Sequence, residues 1–336
     1  MRAMQLQRPS AAGPPPLAGV DLAEPIAGPG ELVVAVEACA ACRTDLQLVR
    51  GDLPARRLPI TPGHQVVGRV ATVGADVEGW RVGDLAGAFW LASSCGRCRF
   101  CRSGRENLCP DARFTGWDVD GGYAGAMRIR ADFALHLPDG SPDDLAPLLC
   151  GGVIGYRALK RSGIRPGGRL GLYGFGASAS LAIQAARHWN CEVHVVTRSA
   201  DDQQRALALG AAWVGGAGES PPVPLDAAIT FAPVGSVVLD ALRALDRGGT
   251  VAINAIHLDG IPAFDYDDLW WERQVVSVAN VTREDAREFV GLAAEAGIVT
   301  NPRPYALDAA SQALADLEDG VIGAGAAVLH PPAAGG

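Results

Sequence analysis

The sequence predicts an α/β protein of two parts, a mostly β domain and a doubly wound parallel sheet, and three observations carry that reading. The chain has 336 residues, long for one hydrophobic core and sufficient for two of roughly 150 residues each. Its first half alternates short β-branched runs with Gly/Pro turns. From about Leu149 the texture changes to Ala/Leu-rich stretches that separate short apolar runs. Repeated strand–helix units of this second kind imply a parallel sheet with helices on both faces.

In the first part VVAVEACA (33–40), QVVGRVATVG (65–74) and YAGAMRI (123–129) have the length and β-branched content of strands, and the glycines between them suit bends or small-barrel corners. In the second, strands are expected at RLGLYGF (169–175), VHVVTR (193–198), LDAAITFA (225–232) and TVAINAI (250–256). Between them SASLAIQAARHW (178–189), QQRALALG (203–210) and SVVLDALRALDRG (236–248) place apolar residues three and four apart, as helices do. A further helix is expected at 284–296, another around 307–317, and a strand near 326–329, with frayed Pro/Gly/Ala-rich ends.

Composition narrows the function classes. With 49% hydrophobic and 20% charged residues, disorder, coiled coil and collagen are excluded. The 37 acidic against 29 basic side chains leave a formal charge of −8, which disfavours nucleic acid or an anionic membrane as partner. No apolar run approaches the roughly 20 residues that span a bilayer, and no basic-then-apolar leader opens the chain. Four of the eight cysteines lie within 15 positions, a pattern that suits metal-bound thiolates in a reducing cytoplasm better than a secreted disulfide scaffold. A soluble, cytoplasmic small-molecule protein is the expectation.

Cys95, Cys98, Cys101 and Cys109 follow C-x2-C-x2-C-x7-C. Four thiolates on one short excursion match the closed tetrahedral shell of structural zinc. An iron–sulfur cluster and a pair of disulfides are the competitors, although the C-x3-C-P spacing of a ferredoxin run is missing. A dispersed set, Cys42 in ACRTD, His64 in TPGHQ and Cys150 in LLCGG, would hold zinc through two thiolates and one imidazole and leave a fourth position open. Read singly, Cys39 and Cys191 are as readily ordinary buried thiols, and His64 between Gly63 and Gln65 a loop histidine. Thr44 could relay a proton and Asp45 could orient the imidazole, or both could form a polar turn.

Gly174, Phe175, Gly176, Ala177, Ser178 and Ala179 form G-x-G-x-x-A between a strand and an Ala-rich helix. In that setting the glycines permit a tight turn and close pyrophosphate approach, and the small sixth residue permits close helix packing. The next strand ends in Thr197, Arg198 and Ser199 where a carboxylate would meet an unphosphorylated ribose. A guanidinium with two hydroxyls suits a 2′-phosphate, so NADP(H) is favoured over NAD(H). Asp201 and Asp202 keep an NAD site open, and Arg198 as a solvated strand end is the plain alternative.

With these residues the chain resembles the zinc-dependent medium-chain alcohol dehydrogenases over nearly its whole length. The motifs are CRTD (42–45), PGHQVVGRVATVG (62–74), the four-cysteine lobe, DGGYA (120–124), LLCGGVIGYRAL (148–159), YGFGASA (173–179) and LALGA (207–211). The resemblance implies a GroES-like catalytic domain from residues 1–152 and 297–336, a Rossmann dinucleotide-binding domain from 153–296, and an active-site cleft where they meet. It implies catalytic zinc on Cys42, His64 and Cys150, a second, structural zinc on the four-cysteine lobe, and Arg43 on the cofactor pyrophosphate. Trp90, Leu91 and Trp117 would line the substrate pocket, unless they are core, and would favour aryl or medium aliphatic alcohols. A homodimer or homotetramer is implied, with segments 281–305 and 266–271 as sources of contact.

Two positions depart from the family. Gln65 stands where Glu often follows the zinc-binding His, and Gln47 where a relay His is common. Proton release would then pass from Thr44 through the cofactor ribose and water. The expected chemistry is hydride transfer between NADP(H) and the carbinol or carbonyl carbon of an alcohol, aldehyde or ketone. The alternatives are reduction of a conjugated C=C bond on the same scaffold and a non-catalytic dinucleotide-binding protein.

Overall fold

The strand–helix alternation after Leu149 folds as a six-stranded, all-parallel sheet in the computed structural model of the protein, which describes residues 1–332. The last four positions of the expected 297–336 segment lie outside the described residues. Across the sheet the strands run Trp213–Gly215, Glu192–Val196, Arg169–Tyr173, Leu225–Thr230, Leu245–Ile253 and Gln274–Ser277. Numbered by sequence within the sheet this is the order 3-2-1-4-5-6, the order of a doubly wound dinucleotide-binding fold, with its switch point between Arg169–Tyr173 and Leu225–Thr230. The predicted fold class therefore holds for this part.

Tertiary packing moved several boundaries. The expected strand 169–175 ends at Tyr173 because Gly174 turns left-handed (φ 89°). The helix read through Gly248 stops at Arg243. Leu245 instead pairs with Leu225, Asp246 forms an ion pair with Arg169 at 3.0 Å, and Gly248 (φ 75°) suits an irregular strand better than a helix. The short strands 213–215 and 274–277 went unread, although VVSV carries the β-branched signature of the second.

Two compact units partition the chain: Met1–Cys150 with Asn280–Gly291 and residues from Val299 onward, and Gly151–Ala279 with Leu292–Ile298. The first is β-rich. Its main sheet runs Pro302–Ala306, Ala326–His330, Glu31–Ala40, Gln65–Val73, Leu85–Ala88 and Leu135–His136, with Ala126–Arg130 also on Glu31–Ala40. All pairs but the first are antiparallel. The expected strand 123–129 starts late, at Ala126, because Tyr123 and Gly125 give their backbone bonds to Met4 and Arg2 of the N-terminal strand. Buried Leu32, Val34, Val66, Val70 and Leu329 share one core with Leu46 and Val49 of the helix Arg43–Arg50. Each such side chain contributes roughly 1.5–3 kcal/mol, and that core is the floor under the helix that opens with Cys42. Among the described residues no helix is long and apolar enough to cross a membrane.

Candidate active site

The helix Arg43–Arg50 starts at Cys42, whose backbone N–H donates to Asp45 Oδ2 at 2.9 Å, half of a capping box. Asp45 is buried and gathers three more donors: the Gly63 N–H at 3.3 Å, His64 Nδ1 at 3.2 Å and the Tyr123 hydroxyl at 3.3 Å. The PGH loop in turn rests on DGGYA, where Gly121, Gly122 and Tyr123 donate N–H bonds of 2.7–3.0 Å to the carbonyls of Thr61, Gly63 and Pro62. Both contacting glycines are required. A Cβ on Gly121 would sit 2.0 Å from the Gly63 carbonyl oxygen, and one on Gly63 (φ 95°) would sit 2.4 Å from the Tyr123 ring.

With Nδ1 on Asp45, the opposite ring nitrogen of His64 is buried and has no hydrogen-bond partner among the described residues. It faces the sulfurs of Cys42 and Cys150, all three ligand atoms lying within 4.8 Å of one another. The two sulfurs are 3.9 Å apart, close to the roughly 3.8 Å between two thiolates on one tetrahedral zinc. An orphaned buried nitrogen aimed at two sulfurs at that spacing fits a zinc ion with three protein ligands.

Without a cation the site is protonated unevenly. The bond from Cys150, outweighing burial, holds Cys42 well below the usual thiol range, and the same bond with burial pushes Cys150 well above it. Burial lowers the His64 pKa, but the Asp45 carboxylate and Cys42 sulfur overcome it and raise the imidazole to about 10. Thr44 is buried with Oγ1 3.8 Å from Cys42 Sγ. Gln65 is buried and donates to the Ala40 carbonyl at 3.1 Å, bracing the strand that leads to Cys42. Arg43 and Gln47 lie on the same helix, Arg43 exposed.

Trp90 meets His64 edge to face, centroids 4.9 Å apart, and stacks near Phe114 at 5.1 Å and Trp117 at 5.9 Å. Arg56 caps the stack 3.7 Å over Trp117. Leu91 is buried on a strand paired with Phe114. Phe114 and Tyr123 were not read as site residues; DGGYA was the visible signal for Tyr123, whereas a lone Phe before Thr-Gly-Trp carries none.

In the same unit Cys95, Cys98, Cys101 and Cys109 bring four sulfurs within 4.8 Å. Sulfur separations of 3.9 Å (Cys95–Cys101) and 3.5 Å (Cys98–Cys101) are far longer than a disulfide and close to tetrahedral edges. Backbone N–H groups of Arg97 and Cys98 draw Cys95 down to about 6, whereas burial pushes Cys109 to about 12. Four thiolates this close need a shared cation, and the spacing fits one ion.

In the sheet unit Gly174 donates to the Val196 carbonyl at 2.8 Å, and a Cβ there would press on Ala232 at 3.0 Å. Gly176 caps the helix Ala177–His188. Gly176 and Ala177 are exposed, while Phe175 and Ala179 are buried. Thr197 is buried, Arg198 exposed, and Ser199 caps the helix Ala200–Ala208 by accepting from the Asp202 N–H at 3.2 Å. That bond leaves the Ser199 hydroxyl proton available to an acceptor.

Two outcomes follow from this geometry. Asp45→Asn removes the negative charge behind His64, so zinc affinity of the three-ligand site should fall about 10–100-fold; a chelator titration should leave one zinc per chain where wild type keeps two. Because His64 and Cys150 hold protons below their raised pKa values, zinc must displace both, so affinity at this site should climb as pH rises through the neutral and alkaline range and fall on acidification. Calorimetry in buffers of different ionisation enthalpy counts the protons released, and none released would contradict the assignment.

The pattern of the alcohol dehydrogenase GroES-like domain matches residues 28–139. The chain is 52% identical, over 98% of its length and 97% of the relative's, to the Mycobacterium tuberculosis (strain CDC 1551 / Oshkosh) protein named probable alcohol dehydrogenase AdhA. It is 34% identical to an alcohol dehydrogenase of Geobacillus stearothermophilus, over 87% and 89% of the two chains. Among solved structures, one from Sinorhizobium meliloti 1021, described as a "putative zinc-binding dehydrogenase" and bound to NADP, superposes with a TM-score of 0.85 at 26% identity, covering 98% of this chain and 99% of that one. With this relationship and the two cysteine-based clusters, the chain belongs to the zinc-binding medium-chain alcohol dehydrogenase family.

Proposed function

We propose that the protein is a zinc-dependent alcohol dehydrogenase and carbonyl reductase that uses NADP(H) on aryl or medium aliphatic substrates. The observation that carries the reading is the three-ligand set Cys42, His64 and Cys150 with Asp45 behind it, which leaves a fourth tetrahedral position for a substrate oxygen. When bound, zinc supplies a Lewis acid for that oxygen and the nicotinamide supplies or accepts hydride. Asp45 keeps the proton of His64 on Nδ1, so Nε2 presents its lone pair to the metal. Thr44 Oγ1, beside Cys42, holds and passes the substrate proton. Trp90 and Trp117, with Leu91 on the strand that pairs with Phe114, form an apolar wall that excludes water and selects flat or elongated carbon chains. The closed four-cysteine set serves structure, because it leaves no position for substrate.

The unit built on 151–279 is the dinucleotide-binding part. The exposed turn at Gly176 and Ala177 lets the pyrophosphate approach the start of the helix Ala177–His188, with Phe175, Ser178 and Ala179 shaping it. Arg198, with the hydroxyls of Thr197 and Ser199, suits a 2′-phosphate. Conjugated C=C reduction is the weaker reading, since it has no need of the retained ligand set.

A cytoplasmic homo-oligomer is proposed as well. Among the described residues the edge strand Gln274–Ser277 is paired on one side only, and the segment before it carries Tyr266 (65% exposed), Trp270 (49%) and Trp271 (48%). An unpaired strand edge rimmed by aromatics suits a second copy of the chain.

Purified, zinc-assayed protein titrated with NADPH and NADH, with and without benzaldehyde, tests the activity. NADPH oxidation that depends on benzaldehyde and yields benzyl alcohol is expected, and Arg198→Ala should weaken NADPH about 10–100-fold while sparing NADH. Equal use of both cofactors would overturn the 2′-phosphate assignment, and saturation of an enal would favour the C=C reading. Light scattering should give a mass above that of one chain, reduced by Trp271→Glu; a wild-type monomer would refute the oligomer.

A further inference from the structure

The indole N–H of Trp90 donates to Asn280 Oδ1 at 3.1 Å, and the same amide donates through Nδ2 to the Asn107 carbonyl at 3.3 Å. Asn280 holds this bridge from a left-handed backbone (φ 54°), which Asn tolerates better than most side chains. Asn107 lies two positions before Cys109 of the four-cysteine lobe. Its neighbour Glu106 is buried and accepts both the backbone N–H and the Nε of Arg283, at 3.1 and 3.2 Å. Segment 280–283 is therefore tied to the lobe at Glu106 and Asn107, and Asn280 also ties it to Trp90.

The ring contacts of Trp90, edge to face with His64 and stacked with Phe114 and Trp117, are of a kind that occurs over centroid separations of roughly 4.5–7 Å. A hydrogen bond is directional, so the Asn280 amide sets where along the stack the Trp90 ring stops relative to His64. The geometry points to Asn280 as a positioning residue: it registers the Trp90 wall over the zinc-ligating His64 and, through Asn107, borrows the rigidity of the four-cysteine lobe to do so. The consequence for substrate choice, that Asn280 sharpens selection of aryl over small aliphatic carbonyls, rests on the function proposed above; the placement of Trp90 does not.

The test is a double-mutant cycle read in two ways. Asn280→Gly removes the amide and keeps a residue at ease in the left-handed region, and Trp90→Phe keeps a stacked ring and removes the N–H. In near-UV circular dichroism and tryptophan emission, Asn280→Gly should alter the Trp90 signal, and it should alter nothing further in the Trp90→Phe background. In turnover, Asn280→Gly should raise the KM for benzaldehyde about 3–10-fold, the range of one lost neutral hydrogen bond. The KM for propanal and kcat should stay within about twofold. Asn280→Asp keeps an acceptor for the indole but turns a second acceptor onto the Asn107 carbonyl and so breaks the tie to the lobe; it should move the benzaldehyde KM and the Trp90 signal as Asn280→Gly does. An unchanged Trp90 signal in Asn280→Gly, an equal change without the indole N–H, or an Asp variant with the wild-type signal and KM would overturn the proposal. If the wild type turns over neither carbonyl, the activity reading fails while the spectral cycle still decides the placement of Trp90.

Discussion

The site depends on one buried carboxylate. Asp45 accepts from the Cys42 backbone, the Gly63 backbone, the His64 ring and the Tyr123 hydroxyl, joining chain segments up to 78 residues apart. An ionised carboxylate without partners would cost several kcal/mol to bury, and bonds to charged groups return about 1.5–3 kcal/mol each. Asp45 is therefore tolerable only when the helix start, the PGH loop and DGGYA are all in place, which makes the carboxylate a cooperative lock on the geometry of two metal ligands. The glycines belong to the same constraint, because side chains at Gly63 or Gly121 would hold apart the two backbones that the lock draws together.

The two sulfur clusters solve different problems. The four-cysteine lobe is local, so a short loop can wrap an ion and gain folding free energy from it. The three-ligand set draws on Cys42, His64 and Cys150, and only a completed sheet core brings them within reach of one ion. In the absence of metal, crowding shows as opposed shifts, with Cys42 low and Cys150 and His64 high. Protons thus occupy places that a dication would take, and metal loading and protonation compete. The stack of Trp90, Phe114 and Trp117 then adds an apolar face beside the imidazole.

Much of this was legible in the residues. G-x-G-x-x-A between a strand and an Ala-rich helix, the cysteine spacing, and CRTD with PGHQ are local patterns whose chemistry needs few long-range contacts to recognise. Boundaries were less legible where a distant partner decided them. Leu245 leaves the expected helix to pair with Leu225, and Tyr123 leaves the expected strand to pair with the N-terminal strand. The role of Ser199 as a helix cap is also local, yet it shares the residue with the phosphate reading.

By itself the sequence determined the two-part α/β plan, the nucleotide turn and the four-cysteine lobe, because strand and helix periodicity, glycine freedom and thiolate chemistry are properties of nearby residues; the dispersed set Cys42, His64 and Cys150 stood out only through the family resemblance. Only the tertiary structure decided that Asp45 reaches His64 and Tyr123 together, that Phe114 and Trp117 stack with Trp90, and that Asn280 holds the indole from the far end of the chain. Those contacts join residues as many as 190 positions apart. Their partners are chosen by how sheet register and loop packing close the core, and no pattern within a single segment encodes that choice.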